Sequence, residues 1–424
     1  MGNKTDHANP DVLIAGGGMV GLTLALALAQ GGLRVTIVDP VPASSMVNEA
    51  FDGRVSALSY SAVRMFKALG VCDDLAPHAQ AILDILVTDA ALDRNPSPFS
   101  LHFDHREIGE PMGVIAENRY IRHALFAAVA RQENIELISP ASVGAIHVTN
   151  EMVEAQLSTG RTIPVPLVVA ADGRASPLRE QMGIRTIAWS YPQTGIVATV
   201  EHERPHNGTA YEHFLPSGPF AILPMTPASS SEAVGRQSAN RSSLVWTERE
   251  SRAADLIALP AKAFAAEVSR RFGDHFGKIE VVGDRWSYPL RFHLARNYVA
   301  ARFALAGDSA HGIHPIAGQG LNLGLKDAAA LAECVVEAVR LGLSPGDSTA
   351  LARYERWRRF DSFALAAATD GLNRLFSNDI APLRAIRDVG MGLVDAIGPL
   401  RRAFMRNAGG DLGKLPRLMR GAPA

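Results

Sequence analysis

Between Ile313 and Asp327 the chain reads Ile-His-Pro-Ile-Ala-Gly-Gln-Gly-Leu-Asn-Leu-Gly-Leu-Lys-Asp. The run is too rich in glycine for an ordinary helix start, yet it leads straight into a helical pattern from about Leu321 to Leu341. Gly318 and Gly320 carry no side chain to hold a ligand off the backbone. A helix opening there aims unpaired N–H groups and a partial positive charge at whatever sits before it. That field suits a group that gathers negative charge as it reacts, as the N1/O2 edge of a reduced flavin does. Pro315, Gly318, Gln319 and Gly320 are the candidate wall against such a ring, with Leu321 and Asn322 following on the helix.

Chemistry of this kind needs strands and helix starts to hold the rest of a large cofactor. Phe303-Ala-Leu-Ala-Gly-Asp-Ser-Ala-His311 predicts a short buried strand ending in Gly307-Asp308, where Asp308 can accept from a ribityl hydroxyl. Near the start, Asp11 to Leu22 carries Gly-x-Gly-x-x-Gly at Gly16, Gly18 and Gly21, with Met19 and Val20 opening the helix that follows. A strand precedes the triplet, a helix follows, and Asp39 ends the next strand about twenty positions on, the context of a dinucleotide-binding turn.

His314 to Asp327 matches the pattern His-Pro-x-Ala-Gly-Gln-Gly-x-Asn-x-Gly-x-x-Asp throughout. On that run the chain resembles the FAD-dependent aromatic hydroxylases and, within them, the ubiquinone-biosynthesis hydroxylases, from about Asp11 to the basic C-terminal segment. The resemblance places Arg54, in a stretch Asp52–Leu58 taken to begin a helix, against the flavin or its pyrophosphate. It sets Asn118 and Arg119, first residues of a helix after Glu117, toward the ribityl chain, without saying which makes the contact. Asp172, in Val168-Val-Ala-Ala-Asp-Gly-Arg-Ala-Ser-Pro-Leu-Arg179, would organise the pyrophosphate region. Two positions depart from the pattern: Asp39 stands where Glu is more usual, and Ala171 where Gly is.

The implied architecture is α/β: a Rossmann-like FAD-binding domain built from residues 1–81, 113–185 and 289–350. An antiparallel β-rich substrate domain, 82–112 and 186–288, is inserted into it, and a helical region, 351–424, follows. The insertion rests on a change to short β-rich runs such as Gly195–Val200, His213–Leu215, Phe220–Leu223 and Ser243–Trp246. Crossings are expected near Arg185 and Tyr288, and the loop Thr226–Ser242 is expected to be mobile. Beyond Leu351 the helical stretches are Tyr354–Arg359 and then Ala381–Phe404.

With 424 residues and a net charge of -1, the chain has room for two domains and no global attraction to nucleic acid. Cys72 and Cys334 stand alone, so no disulfide framework, redox pair or thiol metal site is expected, and a reducing cytoplasm is the default compartment. The uncharged run Val12–Leu33 is divided by three glycines and is expected to fold as strand, turn and helix, and no signal or lipidation motif is found. From Arg401 to Arg420 six basic side chains face one acidic, a net of +5, with Leu412, Leu415, Leu418 and Met419 between them. Such a tail suits the inner face of an anionic membrane, a partner in a biosynthetic complex, or packing on the FAD domain itself.

A second nucleotide fold is absent, so a pyridine nucleotide would bind transiently beside the flavin or a separate reductase would deliver the electrons. The resemblance implies reduction of FAD by NAD(P)H or that reductase, activation of molecular oxygen on the flavin, and delivery of an electrophilic OH to a polyprenylated phenol. The site must close against water, with Pro315–Gly320 as one wall and Phe214–Leu223 as the other. No catalytic base or metal ligand is assigned, and His311 and His314 are expected to be satisfied by backbone. The alternatives are hydroxylation of another aromatic substrate and a flavin-binding structural subunit without turnover.

Overall fold

A computed structural model of the chain describes residues 9–47, 53–89, 100–227, 240–377, 390–411 and 413–424. The Val12–Leu33 run divides as expected into strand β1 (Val12–Ala15), a glycine turn and helix α1 (Met19–Gln30). β1 pairs in parallel with β2 (Val35–Val38), and both are buried on every residue, the pattern of a sheet covered on both faces. After a short helix α2 (Ala43–Met46), the expected helix at Asp52–Leu58 is replaced by strand β3 (Val55–Ser59), while Asp52 lies outside the described residues. Alternation explains the correction: Leu58 joins the main core while Val55 and Ala57 pack toward Ile115 and Met112. The helix starts one step later, as α3 (Tyr60–Ala68), capped by Ser59 Oγ accepting from Ala62 N; α4 (Cys72–Leu75) follows.

Next come β4 (Ala79–Ile82), β5 (Asp84–Asp89), β6 (Ser100–Asp104) and β7 (Gly113–Glu117), and then α5 (Asn118–Ala130) and β8 (Ile135–Ile138). β3, β7 and β4 form a small antiparallel sheet. A second one comprises β9 (Val143–Val148), β10 (Val153–Leu157) and β11 (Thr162–Val165), ahead of β12 (Leu167–Ala170) and α6 (Pro177–Gln181).

The chain then builds β13 (Thr186–His202), β14 (Thr209–Leu215), β15 (Gly218–Met225), β16 (Asn240–Arg249), α7 (Glu250–Ala258), α8 (Ala261–Phe272) and β17 (Ile279–Ala295). With β20 (His311–Gly312) these strands make an eight-stranded sheet in the order β20-β17-β13-β16-β15-β14-β5-β6. All its pairings are antiparallel except β14 with β5. α7 and α8 escaped the sequence reading. Phe264, Val268 and Phe272, at helical spacing on α8, bury one face of the sheet against Ile196, Phe220 and Trp246.

β18 (Val299–Ala300) and β19 (Phe303–Leu305) complete the main sheet, ordered β18-β19-β12-β1-β2-β8. Helices α9 (Gln319–Arg340), α10 (Ser348–Phe376) and α11 (Gly398–Ala408) end the chain's regular elements; residues 390–396 are also helical, and 381–389 of the expected helix lie outside the described residues. The basic tail is packed down. Leu415, Leu418 and Met419 are buried in the main core, Arg417 N donates to Glu333 Oε2 at 2.7 Å, and Trp357 Nε1 donates to Lys414 O at 2.9 Å. Those leucines and the methionine are therefore not offered to a membrane, and Leu412 lies outside the described residues. Among the described residues no helix is long and apolar enough to cross a membrane.

Candidate active site

The first glycine turn is built by close contacts. A Cβ on Gly16, where φ is +112°, would lie 2.2 Å from Ala171 O, and one on Gly21 would lie 2.0 Å from Gly16 O. A Cβ on Gly18 would meet nothing within 4 Å. Two glycines thus let chain segments touch, while Gly18 keeps open space before the N-terminus of α1, whose first residues are Met19 and Val20 and which no side chain caps. Asp39 stands at the end of β2 with both oxygens engaged: Gly17 N donates to Oδ2 at 2.6 Å and Val41 N to Oδ1 at 2.8 Å. This carboxylate stiffens the turn directly. Asp172, across the turn, has a buried Oδ1 with no partner among the described residues, and burial raises its pKa.

The second helix start faces the same region. Gly318 adopts φ +62° and α9 begins behind it uncapped, with open space where a Cβ on Gly320 would point. α1 and α9 cross at small residues: a Cβ on Gly324 would lie 2.8 Å from Val20 Cγ2 and 3.1 Å from Gly307 Cα. That crossing brings two uncapped N-termini and the Gly307–Asp308 turn together, with the Asp308 side chain exposed.

Asp327, the last residue of the signature, locks this arrangement from inside. It is fully buried and accepts from Gly307 N at 3.0 Å, His311 Nε2 at 2.5 Å and Arg358 Nε at 2.8 Å. Burial alone would raise its pKa, but the electrostatic pull and hydrogen bonds of His311 and Arg358 outweigh that and hold it low. Arg179 makes a parallel stitch, donating to Ser309 O at 2.9 Å and Arg174 O at 3.0 Å and so tying the Asp172 turn to the Asp308 turn.

Arg54 and Asn118 are neighbours: Asn118 N donates to Arg54 O at 2.9 Å, and Ser56 Oγ donates to Asn118 Oδ1 at 2.7 Å. Arg119 is buried and paired with Glu117 at 2.8 Å, while Glu117 also meets Arg241 of β16 at 3.5 Å. Asn322 is a stitch as well: its Oδ1 accepts from Ser59 N at 2.9 Å and its Nδ2 donates to Ala57 O at 2.8 Å. Gln319 Nε2 donates to Ala408 O at 3.2 Å, which brings the end of α11 to the signature loop. Pro315 and Leu321 are partly exposed on either side of it.

Over this loop lies the open face of the eight-stranded sheet. Ile316 packs with Phe214 of β14, Phe376 of α10 and Met391, so the two expected walls do meet. A cavity of about 790 Å³ adjoins them, lined in part by Trp189, Tyr191, Pro216 and Asn373. It lies at the rim of the sheet rather than in the glycine cradle, and Tyr191 connects the two, meeting His314 edge-on at 5.2 Å. The expected backbone partners of the histidines are not found. His311 donates to Asp327, and both nitrogens of buried His314 lack partners among the described residues, with burial pushing its pKa down to about 4.

These donors fit FAD. The start of α1 offers N–H groups to a pyrophosphate, Gly318–Gly320 leave a ring room to lie on the backbone, and Asp172 keeps an unused buried acceptor. A family model described as FAD binding domain matches residues 9–365. Over 97% of this chain and 93% of the relative, the sequence is 49% identical to the ubiquinone hydroxylase UbiL of Rhodospirillum rubrum. The chain belongs to the FAD-dependent ubiquinone hydroxylase family. This family of aromatic monooxygenases includes the 3-demethoxyubiquinol 3-hydroxylase of Escherichia coli, 32% identical over 94% of this chain and 98% of its own. The fold is shared with p-nitrophenol 4-monooxygenase PnpA from Pseudomonas putida, with a TM-score of 0.73, 17% identity and coverage of 95% and 98% of the two chains.

Asp327, Arg358 and Arg179 are the site-forming residues to which sequence reasoning gave no role. Asp327 closes the signature, and Arg179 ends the Val168–Arg179 run that resembles the family's Asp-Gly motif, so both carried a signal; Arg358 sits among arginines of an ordinary helical run and carried none.

Proposed function

We propose that this flavoprotein hydroxylates the ring of a polyprenylated phenol on the route to ubiquinone, with electrons from NAD(P)H or a separate reductase. The observation that carries the reading is the apolar closure of Ile316 against Phe214, Phe376 and Met391, directly on the signature loop. Bound FAD supplies the reduction and oxygen activation that no side chain here can perform. The chain's own part is to hold it and keep the site dry. The N–H groups at the start of α1 take the pyrophosphate, with Gly18 leaving it room; Asp172 and Asp308 accept from nearby hydroxyl or backbone groups; Asn118 and Arg54 lie along the ribityl side. Pro315, Gly318, Gln319 and Gly320 support the ring and stabilise charge gathering on it through the N-terminus of α9. The two apolar walls exclude water from the reacting oxygen.

An isoprenoid tail gains about 0.8 kcal/mol for each buried CH₂, and the adjoining cavity, with apolar lining from Trp189, Tyr191 and Pro216, suits the first isoprene units. With the tail leucines buried, membrane or complex docking rests on exposed basic side chains, Arg402 and Arg406 of α11 beside exposed Phe404, and Lys414 and Arg420 beyond it. Charge reversal at these basic residues should lower co-sedimentation with anionic liposomes, and unchanged sedimentation would remove the membrane version.

Inactivating the gene in a ubiquinone-producing host without a redundant hydroxylase should cause a quinone precursor lacking one hydroxyl to accumulate, and its mass spectrum would name the ring position. Normal ubiquinone with no build-up would reject the assignment in favour of another aromatic substrate.

A further inference from the structure

Strand β14 carries residues of opposite character on its two faces. Tyr211, His213 and Leu215 point to the helical cover: Tyr211 and His213 each place their rings 5.1 Å from Phe272 of α8, and Leu215 joins the same cluster. Alternation puts Ala210, Glu212 and Phe214 on the face toward the signature loop. Ala210 packs there with Ile115 and Met225, and Phe214 packs with Ile316. The loop itself reaches both flanks, through Ile316 on one side and on the other through Ala57, whose Cβ would lie 3.2 Å from a Cβ on Gly318.

Glu212 lies midway between those flanks, opposite Val87 on β5 and Ala221 on β15. Val87 packs against both apolar groups, so the carboxylate is surrounded by hydrocarbon on its own face. Among the described residues the Glu212 side chain has no hydrogen bond or ion pair. It is nevertheless partly exposed, as are its neighbours Val87, Leu223 and Val245 on the same face. A carboxylate set among apolar side chains, unpaired and partly exposed, is accessible to a ligand on this face. Burial pushes its pKa up to about 7. A buried carboxylate without a partner is costly unless something it binds supplies one.

We propose that Glu212 binds the ring hydroxyl of the phenolic substrate, accepting its hydrogen bond and then its proton as the ring is hydroxylated. This rests on the proposed phenol hydroxylation. The O–H bond breaks with its electron pair left on oxygen, which makes the ring carbon a better nucleophile toward the electrophilic oxygen supplied by the monooxygenase reaction. The proton resides on Glu212 while the ring carbon takes the terminal hydroxyl of the oxygen donor: the new C–O bond forms, the donor's O–O bond breaks, and its electron pair leaves on the donor's other oxygen, which is protonated through water by the proton the ring carbon gives up. The ring then loses its own C–H proton to water, and Glu212 returns its proton to the oxygen. Phe214 and Ile316 hold the ring edge, so the hydroxyl anchored at Glu212 also fixes which carbon is presented.

The test compares native enzyme with Glu212→Gln and Glu212→Leu, all loaded with FAD, using 2-(3-methylbut-2-enyl)phenol as probe. Phenol binding is read from perturbation of the flavin absorbance, without turnover. For chemistry, FAD is reduced anaerobically with dithionite and mixed with oxygen and probe, and hydroxylated product and hydrogen peroxide are counted per flavin. Glu212→Leu should weaken phenol binding about tenfold to a hundredfold, the loss of one charge-assisted hydrogen bond. Glu212→Gln, an isostere, should bind the probe within about threefold yet lower the hydroxylation rate by about a hundredfold or more, with peroxide released in place of product. Native phenol affinity in Glu212→Leu, or native product yield and rate in Glu212→Gln, would overturn the proposal. A native enzyme that binds the probe but makes no product fails the functional reading instead, and the binding comparison still judges Glu212.

Discussion

Replacing Asp327 with Ala should damage both the fold and the cofactor site, by an amount its surroundings set. The change deletes the partner of Arg358, whose side chain is fully buried and among the described residues keeps only Asp361 at 2.8 Å as a carboxylate partner, and it frees Gly307 N and His311 Nε2. Breaking a buried pair from one side costs about 3 to 5 kcal/mol, because the charge left behind stays buried. Against a typical total of about 5 to 15 kcal/mol, that is a large fraction. Urea denaturation of the apoprotein, followed by far-ultraviolet circular dichroism, measures the first effect. Flavin fluorescence titration measures the second, a weaker FAD affinity as the Gly307–Asp308 turn loosens. Arg358→Met alone should cost a similar amount, and the double variant should fall short of the sum by about 2 to 3 kcal/mol, since neither charge is then stranded. A loss below about 1 kcal/mol with unchanged FAD affinity would refute the reasoning. A large stability loss with native FAD affinity would leave Asp327 as a core residue and detach it from the turn. Because its pKa is held low in the folded state, its contribution should be full above about pH 4 and vanish only as pH falls through the lower folded value.

Gly18→Ala should leave apoprotein stability within about 0.5 kcal/mol while weakening FAD binding, whereas Gly21→Ala, whose Cβ meets Gly16 O at 2.0 Å, should cost about 1 to 3 kcal/mol in the apoprotein; equal effects on both properties would refute the division of labour. His213 and His314 are both held down to about 4 by burial, so between about pH 6.5 and 4 the unfolded chain binds more protons than the folded one and stability falls as pH drops. The loss should reach roughly 3 kcal/mol per ring, and His213→Gln should flatten the slope of stability against pH in that window; an unaltered slope would remove His213 as its source. Leu418→Ala should destabilise the protein by about 2 to 5 kcal/mol, as expected of a core leucine, and a change under about 0.5 kcal/mol would mean that the tail is not packed in solution.

The nucleotide turn was legible because its constraints are local. Gly16 and Gly21 each serve a backbone requirement that only glycine meets, Gly18 leaves open space before the helix, and a strand and a helix must flank all three. The start of α9 was legible for the same reason. What escaped depends on partners distant in sequence. Asp39 has the right type and place for a sugar contact, but its two hydrogen bonds to Gly17 N and Val41 N follow from how β2 meets the turn. Asn322 looks like a cofactor contact until Ser59 N and Ala57 O, more than 260 residues earlier, are found at its amide. The strand Val55–Ser59 was mistaken for a helix start because its alternation, small and polar, became meaningful only beside β7. The tail was ambiguous for a physical reason: basic residues interleaved with leucine describe a membrane-surface helix and a packed terminus equally well, and only the burial of Leu415, Leu418 and Met419 separates the two.

The strand order of the main sheet also governs how the protein must be made. β12 pairs with β1 on one edge and with β19 on the other, yet β19 begins only at Phe303, after seven of the eight strands of the large sheet. During synthesis the front half of the cradle can form while the far edge of β12, Leu167–Ala170, stands bare, apolar and ready to pair with another chain. Nascent chains stalled before Phe303 should therefore be the aggregating species and the preferred clients of chaperones, whereas chains that have passed it can close the sheet on themselves.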